Sequence, residues 1–364
     1  MTSLFDTVAL GRLQLPNRIV MAPMTRVRSD REGLATPAMA TYYTQRATAG
    51  LIVTEGIQPS LVGQSNPRTP GLYTTKQVGS WRHVTSAVHT NGGRIFAQLM
   101  HAGRISHPDT TGHQPVAPSA VAAHGAYVFT PTGPQLAPTP RALATDEVPG
   151  EVASFAAAAR GAVEAGFDGV ELHGANGYLI AQFLSGNANL RTDRYGGSAS
   201  GRIRFAVEAV AATIDAIGAD RVGIRLSPGA GIWDAIDIDI PEVYGALVAE
   251  LVPLGPAYLH LTGTDDEILR QLRRAWPGTL IVNPSTPSSP VPATRDAAER
   301  WLTRGADLVS FGRAYLANPD LVERFRSALP LAVADPDTYY TGGDDGYLTY
   351  PTYDQPRLTT ETSV

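Results

Sequence analysis

The residues of this chain with chemistry to offer sit at the ends of short apolar runs. Thr25 and Arg26 follow the run 19–24, and Gln98 lies inside 95–100. His173 closes 169–174, with Asn176 and Tyr178 just beyond it. Arg225 lies inside 222–227, and Gly312 and Arg313 close 308–313. This is a set of hydrogen-bond donors and one phenol without a strong nucleophile. There are no cysteines, which excludes disulfides, thiolate catalysis and cysteine-held zinc or iron–sulfur clusters. The eight histidines form neither a His-x-His nor a His-Glu-x-x-His pattern, so no metal site is expected. The single lysine, Lys76, falls outside every apolar run and cannot serve as an interior Schiff base. No serine elbow or carboxylate pair suggests acyl transfer or glycoside hydrolysis. Such a donor set suits a site where a bound cofactor does the difficult step.

Each residue also has a plainer reading. Gln98 could be an interior amide satisfied by backbone, and a lone histidine is more often a satisfied core residue than a catalyst. Tyr178 could be packing. Arg225 could pair with Glu171, which shares a strand face with His173 by the two-residue period. The argument for a shared site is collective: these groups stand at equivalent ends of successive strands.

The elements that would position them are eight short runs rich in Val, Ile and Leu: 19–24, 51–56, 95–100, 169–174, 222–227, 258–263, 280–284 and 308–313. Helical patterns lie between them, which reads as βα units around a parallel sheet. Eight such units close a single (β/α)8 TIM barrel of the α/β class, whose function gathers where the strands end. Helices are expected over 152–165, stopping at Gly166, over 202–217 capped by Ser200, over 296–304 capped by Thr294, and after an Asn318-Pro319 start. The proline-rich stretch 107–149 reads as an excursion over one mouth of the barrel. The tyrosine- and glycine-rich 335–364 reads as a C-terminal tail whose aromatics fold back as a lid. No linker divides the chain, so one domain over 1–364 is expected.

Charge and cofactor motifs narrow the function. Twenty-nine basic against 34 acidic residues give a net charge of −5, with no block of like charge, which argues against nucleic acid or an anionic membrane as partner. No run of about 18 apolar residues is present, and no leader pattern opens the chain, so a cytoplasmic protein with a small-molecule substrate is expected. Gly229-Ala-Gly231 lacks the third glycine of a dinucleotide fingerprint. A barrel instead holds one phosphate at the loops after strands seven and eight, which suits a mononucleotide flavin.

The motifs Ala22-Pro-Met-Thr-Arg26, Gln98-Leu-Met-His-Ala-Gly-Arg-Ile-Ser-His107, Val170-Glu-Leu-His-Gly-Ala-Asn-Gly-Tyr-Leu179, Arg191-Thr-Asp-Arg-Tyr-Gly-Gly-Ser198 and Phe311-Gly-Arg-Ala-Tyr-Leu-Ala-Asn-Pro-Asp-Leu321 closely resemble the Old Yellow Enzyme family. The resemblance runs from Leu4 to about Asp354. It implies FMN as bound cofactor, NADPH or NADH as hydride donor, and ping-pong reduction of activated C=C bonds in α,β-unsaturated carbonyl or nitro compounds. It implies that His173 and Asn176 bind the substrate oxygen and that Tyr178 protonates the α-carbon. Pro23, Met24, Thr25 and Gly56 would contact the flavin ring, with Gln98 and Arg225 on its pyrimidine edge. Gly312 and Arg313 would hold the phosphate. Thr25 in place of cysteine resembles the classical branch.

Departures from the family pattern shape further expectations. The glycine-rich turn usual after strand seven reads Asn283-Pro-Ser-Thr-Pro-Ser-Ser-Pro-Val-Pro292 here, leaving Ser285 and neighbouring hydroxyls to meet the phosphate, since proline has no amide hydrogen. Met100 stands where a tryptophan is common, and Asn66 where a tyrosine is common. Both residues reshape the substrate side, suiting a larger or more oxygenated substrate. Ser198-Ala-Ser-Gly-Arg202 replaces Ser-Leu-Glu-Asn-Arg at a helix start. Tyr347 and Tyr350 match the family's Gly-Tyr-x-x-Tyr segment, and Tyr350 is expected in the pocket. Two rival readings stand beside the reductase: an FMN-dependent isomerase or desaturase, and a non-catalytic small-molecule-binding barrel. A monomer or homodimer is expected.

Overall fold

The structure is a computed structural model that describes residues 2–262, 265–284 and 293–353. Eight parallel strands close a barrel: β1 (Ile19–Met21), β2 (Leu51–Ile57), β3 (Ile95–Leu99), β4 (Gly169–Gly174), β5 (Val222–Leu226), β6 (Tyr258–Thr262), β7 (Thr279–Asn283) and β8 (Leu308–Phe311), with β8 pairing back onto β1. All eight expected runs are barrel strands. β1 ends earlier than expected because Pro23 has no N–H to donate to a ladder. β8 ends at Phe311 because Gly312 begins a short helix, Arg313–Ala317.

The helices α1 (Pro37–Thr44), α2 (Thr75–Thr90), α3 (Val148–Glu164), α4 (Ala199–Ile217), α5 (Ile240–Leu254), α6 (Asp266–Ala275), α7 (Arg295–Thr303) and α8 (Leu321–Arg326) wrap the outside. Thr294 caps α7 by accepting from Ala297 N, as its sequence position indicates. Two cap assignments are corrected. Ser198, not Ser200, caps α4 by accepting from Gly201 N, which puts the helix start three residues earlier than expected. Asn318 does not start the last helix: its amide donates to the Ala314 and Ala332 carbonyls, tying the preceding helix to the descending chain, and α8 starts at Leu321.

Side-chain alternation builds two cores. Outward residues such as Leu172, Ile224, Leu259 and Val309 pack under the helices, with Phe155, Phe205 and Leu247 facing them. Inward residues Val20, Val53, Phe96, Tyr258, Ile281 and Leu308 fill the lower barrel, where an N-terminal hairpin (Val8–Leu10 with Leu13–Leu15) inserts Leu10 and Leu15 as a plug. The layer above is polar and the mouth above that is open. The segment between β3 and α3 contains a short helix, Pro108–Thr111, and a hairpin, Tyr127–Thr130 with Gly133–Leu136. Its last residues, Val148 and Pro149, already belong to α3, where proline at the second position costs no hydrogen bond.

The C-terminal segment is held in a clasp by two arginines, Arg26 and Arg28, a few residues beyond the β1 end. Arg26 donates to the carbonyls of Tyr339, Thr338 and Gly346, and Arg28 to those of Gly343, Thr338 and Thr341. Tyr347 stacks on Tyr42 with ring centroids 4.2 Å apart, and the Arg26 guanidinium lies 5.1 Å from the Tyr347 ring.

Candidate active site

A cavity of about 330 Å³ opens at the C-terminal ends of the strands. Its walls come from the β1 end (Pro23, Met24, Thr25), from β3 and β5 (Gln98, Met100, Arg225), and from the β4 end (His173, Asn176, Tyr178). Gly312 and Arg313 complete it beyond β8. The structure therefore brings together almost the whole set singled out from sequence. Thr262, Asn283, Tyr339 and Tyr340 also line the cavity and were not anticipated. Thr262 and Asn283 close β6 and β7 on the inward phase, so their signal was the same one that marked His173.

The turn after β4 explains the placement of His173, Asn176 and Tyr178. Asn176 takes a left-handed φ of 55°, which asparagine tolerates better than most residues, and its backbone N–H donates to Ser227 Oγ at 2.8 Å. Gly177 follows at φ 73°, where a Cβ would strike the Ile232 carbonyl. These two residues turn the chain sharply, so Tyr178 comes back over the strand end with its ring centroid 5.2 Å from that of His173.

Burial decides the charge states. It pushes the His173 imidazole down to about 3, helped by the nearby Arg225 cation, so at neutral pH the ring is uncharged. Burial pushes the Tyr178 phenol up to about 12, against an opposing hydrogen bond from Trp233, so the phenol keeps its proton. His173 Nδ1, Asn176 Oδ1 and Arg225 Nε are buried and have no partner within the protein. Three orphaned polar atoms around one cavity point to a polar ligand that completes them.

Running down from Gln98 at the cavity floor, the inward residues Gln98, Glu171, His260 and Ser310 form a hydrogen-bonded layer from β3, β4, β6 and β8. Gln98 Nε2 donates to Glu171 Oε1 at 2.8 Å, Glu171 Oε2 meets His260 Nδ1 at 2.8 Å, and His260 Nε2 meets Ser310 Oγ at 2.8 Å. The backbone reading of the Gln98 amide is thus corrected. So is the pairing of Glu171 with Arg225: the carboxylate's hydrogen-bonded cation-capable partner is His260, while Arg225 acts on it at longer range.

Three expected positions fall elsewhere. Gly56 does not line the cavity; a Cβ there would sit 2.6 Å from Met100 Sδ, so the glycine makes room for the methionine that does. Asn66 lines an adjoining recess with Thr25, Phe129, Tyr178, Trp233 and Tyr340. Tyr350 is not in the pocket: its hydroxyl accepts from Asp335 N at 2.7 Å, and the ring packs beside Leu316 and Ala334. The tail tyrosines that reach the cavity are Tyr339 and Tyr340, and Tyr347 is fully buried in the clasp. Ser285, with the rest of 285–292, lies outside the described residues.

The cavity suits FMN. A flat ring system needs donors and acceptors along one edge and a cation beside that edge, which Gln98 and the orphaned Arg225 provide, and Arg313 beyond β8 stands where barrels hold a phosphate. No helix among the described residues is long and apolar enough to cross a membrane, and no group of acidic or histidine side chains among them could hold a metal ion.

Comparison with known proteins agrees. Residues 3–332 match the NADH:flavin oxidoreductase / NADH oxidase family model. The putative 12-oxophytodienoate reductase 5 of Oryza sativa subsp. japonica is 41% identical over 354 residues, covering 95% of this chain and 93% of the relative. A probable flavin mononucleotide-dependent alkene reductase of Leishmania infantum is 41% identical, covering 94% of this chain and 95% of the relative. Among solved structures, the Old Yellow Enzyme homologue from Zymomonas mobilis superposes with a TM-score of 0.92 at 39% identity, covering 96% of this chain and 99% of that one. Morphinone reductase in complex with tetrahydroNAD does so with a TM-score of 0.92 at 41% identity, covering 97% and 98%. The chain belongs to the NADH:flavin oxidoreductase / NADH oxidase family, the Old Yellow Enzymes, and is an FMN-dependent NAD(P)H ene-reductase.

Proposed function

We propose that the cavity binds an α,β-unsaturated carbonyl or nitro compound with its oxygen against His173 and Asn176 and its α-carbon under Tyr178. The observation that carries this reading is the Tyr178 ring set 5.2 Å, centroid to centroid, from the buried His173 ring over one cavity, where burial favours the neutral form of both. When bound and reduced by NAD(P)H, FMN supplies the hydride that adds to the β-carbon. The protein's own groups do the rest. His173 and the Asn176 amide donate hydrogen bonds that draw electron density onto the substrate oxygen. Tyr178, held in its acid form, delivers a proton to the α-carbon and takes one back from solvent before the next turnover.

On the cofactor side, Pro23, Met24 and Thr25 would flank the ring, and Gln98 and Arg225 would bind its pyrimidine edge. Gly312 and Arg313 would take the phosphate, with Ser285 as a further ligand. A fixed cation at Arg225 would favour negative charge on that edge of the ring. Met100 and the recess beyond Tyr178 would receive the body of the substrate. Asn66 offers a polar contact there, and Phe129, Trp233 and Tyr340 offer apolar ones. This supports substrates larger or more oxygenated than simple enones. One domain spanning the chain, with 107–149 as cap and the tail as second wall, belongs to the same proposal, as does a cytoplasmic monomer or homodimer. The isomerase, desaturase and binding-protein readings are not favoured, since the similar proteins carry the names of reductases.

The test separates the two half-reactions. Tyr178→Phe slows alkene reduction by roughly 10²-fold or more, within the range of general-acid contributions, and leaves flavin reduction by NADPH within about twofold. Stopped-flow measurement of both would remove Tyr178 as the acid if the two slow equally.

A further inference from the structure

The polar layer beneath the cavity floor is unusual for a barrel interior, which is ordinarily filled by branched apolar side chains. Gln98, Glu171, His260 and Ser310 are all buried, the last three with no exposure at all. Each contact along the chain of four is 2.8 Å. A buried carboxylate placed among apolar neighbours is costly unless several donors converge on it. Here it is met by the Gln98 amide and His260, with Arg225 in the neighbouring strand and in register with His173 and His260. Burial alone would push the Glu171 carboxyl up. His260 as hydrogen-bond partner, with smaller help from Arg225 and Gln98, outweighs it and holds the group below the ordinary carboxylate range, while burial lowers the His260 imidazole, so the carboxylate is the charged member of the pair.

Glu171 does not line the cavity, whereas the amide it binds does. One Gln98 N–H is committed to the carboxylate, which fixes which end of the amide is nitrogen. The second N–H and Oε1 remain for a ligand in the cavity. An unanchored glutamine could present either end, and half of those orientations would meet a ring edge with the wrong donor order. The same carboxylate places a permanent negative charge behind that edge, opposite in sign to Arg225.

We propose that Glu171 is a positioning residue that orients the Gln98 amide toward the flavin's pyrimidine edge and, by its charge, offsets Arg225 and lowers the reduction potential of bound FMN. His260 and Ser310 hold the carboxylate in place from the opposite wall. The inference rests on the reading that the pyrimidine edge lies at Gln98 and Arg225. A lowered potential makes the reduced cofactor a stronger donor to the alkene, at the expense of its own reduction by nicotinamide.

The test is spectroelectrochemical titration of the FMN-loaded protein. Glu171→Gln keeps the shape and can keep both hydrogen bonds, with His260 changing tautomer, but removes the charge. The expected result is an at least tenfold rise in the preference for reduced over oxidised FMN, which is about 30 mV upward for a two-electron couple. A shift below threefold, or a downward one, overturns the proposal. A role confined to folding would lower stability without moving the potential. Arg225→Gln, titrated alongside, is expected to lower the potential. If it does so while Glu171→Gln has no effect, Glu171 alone is wrongly assigned; if neither moves, the placement of the pyrimidine edge falls together with the proposal. Should Glu171→Gln not fold, Glu171→Asp retains the charge but cannot reach both Gln98 and His260. FMN should then bind at least fivefold more weakly, and an unchanged dissociation constant overturns the positioning role.

Discussion

The pocket has two walls of different construction. The inner wall is made by strand ends, where His173, Arg225 and Gln98 project from β4, β5 and β3 on a shared inward phase. The outer wall is made by Tyr339 and Tyr340, which follow one short 3-10 turn (Pro336–Thr338) and rest on single side-chain contacts such as Phe129 against Tyr340; they are held because Arg26 and Arg28 bind carbonyls of the surrounding chain. The inner wall takes its geometry from a closed ladder of backbone hydrogen bonds, the outer wall from a handful of guanidinium contacts. Chemistry that tolerates no misplacement belongs on the first, and shape selection can be delegated to the second.

That division can be broken from either side. The largest effect is expected at the inner wall: His173→Ala should reduce the rate of alkene reduction by about 10²–10³-fold, the usual cost of one donor to a developing oxyanion. It should leave nicotinamide oxidation much less affected, and comparable losses in both half-reactions would argue against the assigned role. At the base of the outer wall, Arg26→Leu leaves the Tyr339 and Gly346 carbonyls without a donor and should cost about 2–3 kcal/mol of stability, read by denaturant unfolding. In the folded fraction, KM should rise while the flavin potential stays put. Smaller still, Tyr340→Ala should raise KM for bulky substrates by roughly three- to tenfold, as expected for one lost apolar contact, with kcat for a small enone unchanged. A fall in kcat equal to the rise in KM would mean the outer wall takes part in the chemistry.

The charge states sharpen the same contrast. Because His173 stays neutral until about pH 3 when folded, it binds fewer protons than the unfolded chain below its ordinary value of 6.5. Its contribution therefore makes the protein less stable as pH falls from 6.5 toward 3, and leaves stability untouched above 6.5. In His173→Asn, the loss of melting temperature on going from pH 6.5 to 4.5 should be smaller than in the parent. An identical acid sensitivity would show that the imidazole is protonated in the native state.

The sequence was legible where physics is local or periodic. Eight apolar runs ending in polar groups became eight strands because a two-residue period and flanking glycines leave few other structures for them. The helix starts were half legible: two serines stood two residues apart at the start of α4, and only the three-dimensional path of the chain chose Ser198. The tail was misread for a related reason. Its tyrosines have no period, and which of them face the pocket depends on arginines more than three hundred positions earlier. His260 escaped notice because a histidine between leucines in Tyr258–Thr262 looks like an ordinary core residue until Glu171 is seen opposite it.

The clasp ties residue 26 to residue 346, and this bears on how the protein comes into being. The ribosome makes the β1 end 320 residues before the segment that encloses the pocket. Until Gly346 has emerged, a nascent barrel can offer FMN only a three-sided cleft. Secure loading of the cofactor is thereby tied to synthesis of that segment, and a product cut before Gly346 would retain the strands and helices yet hold its flavin in an open mouth.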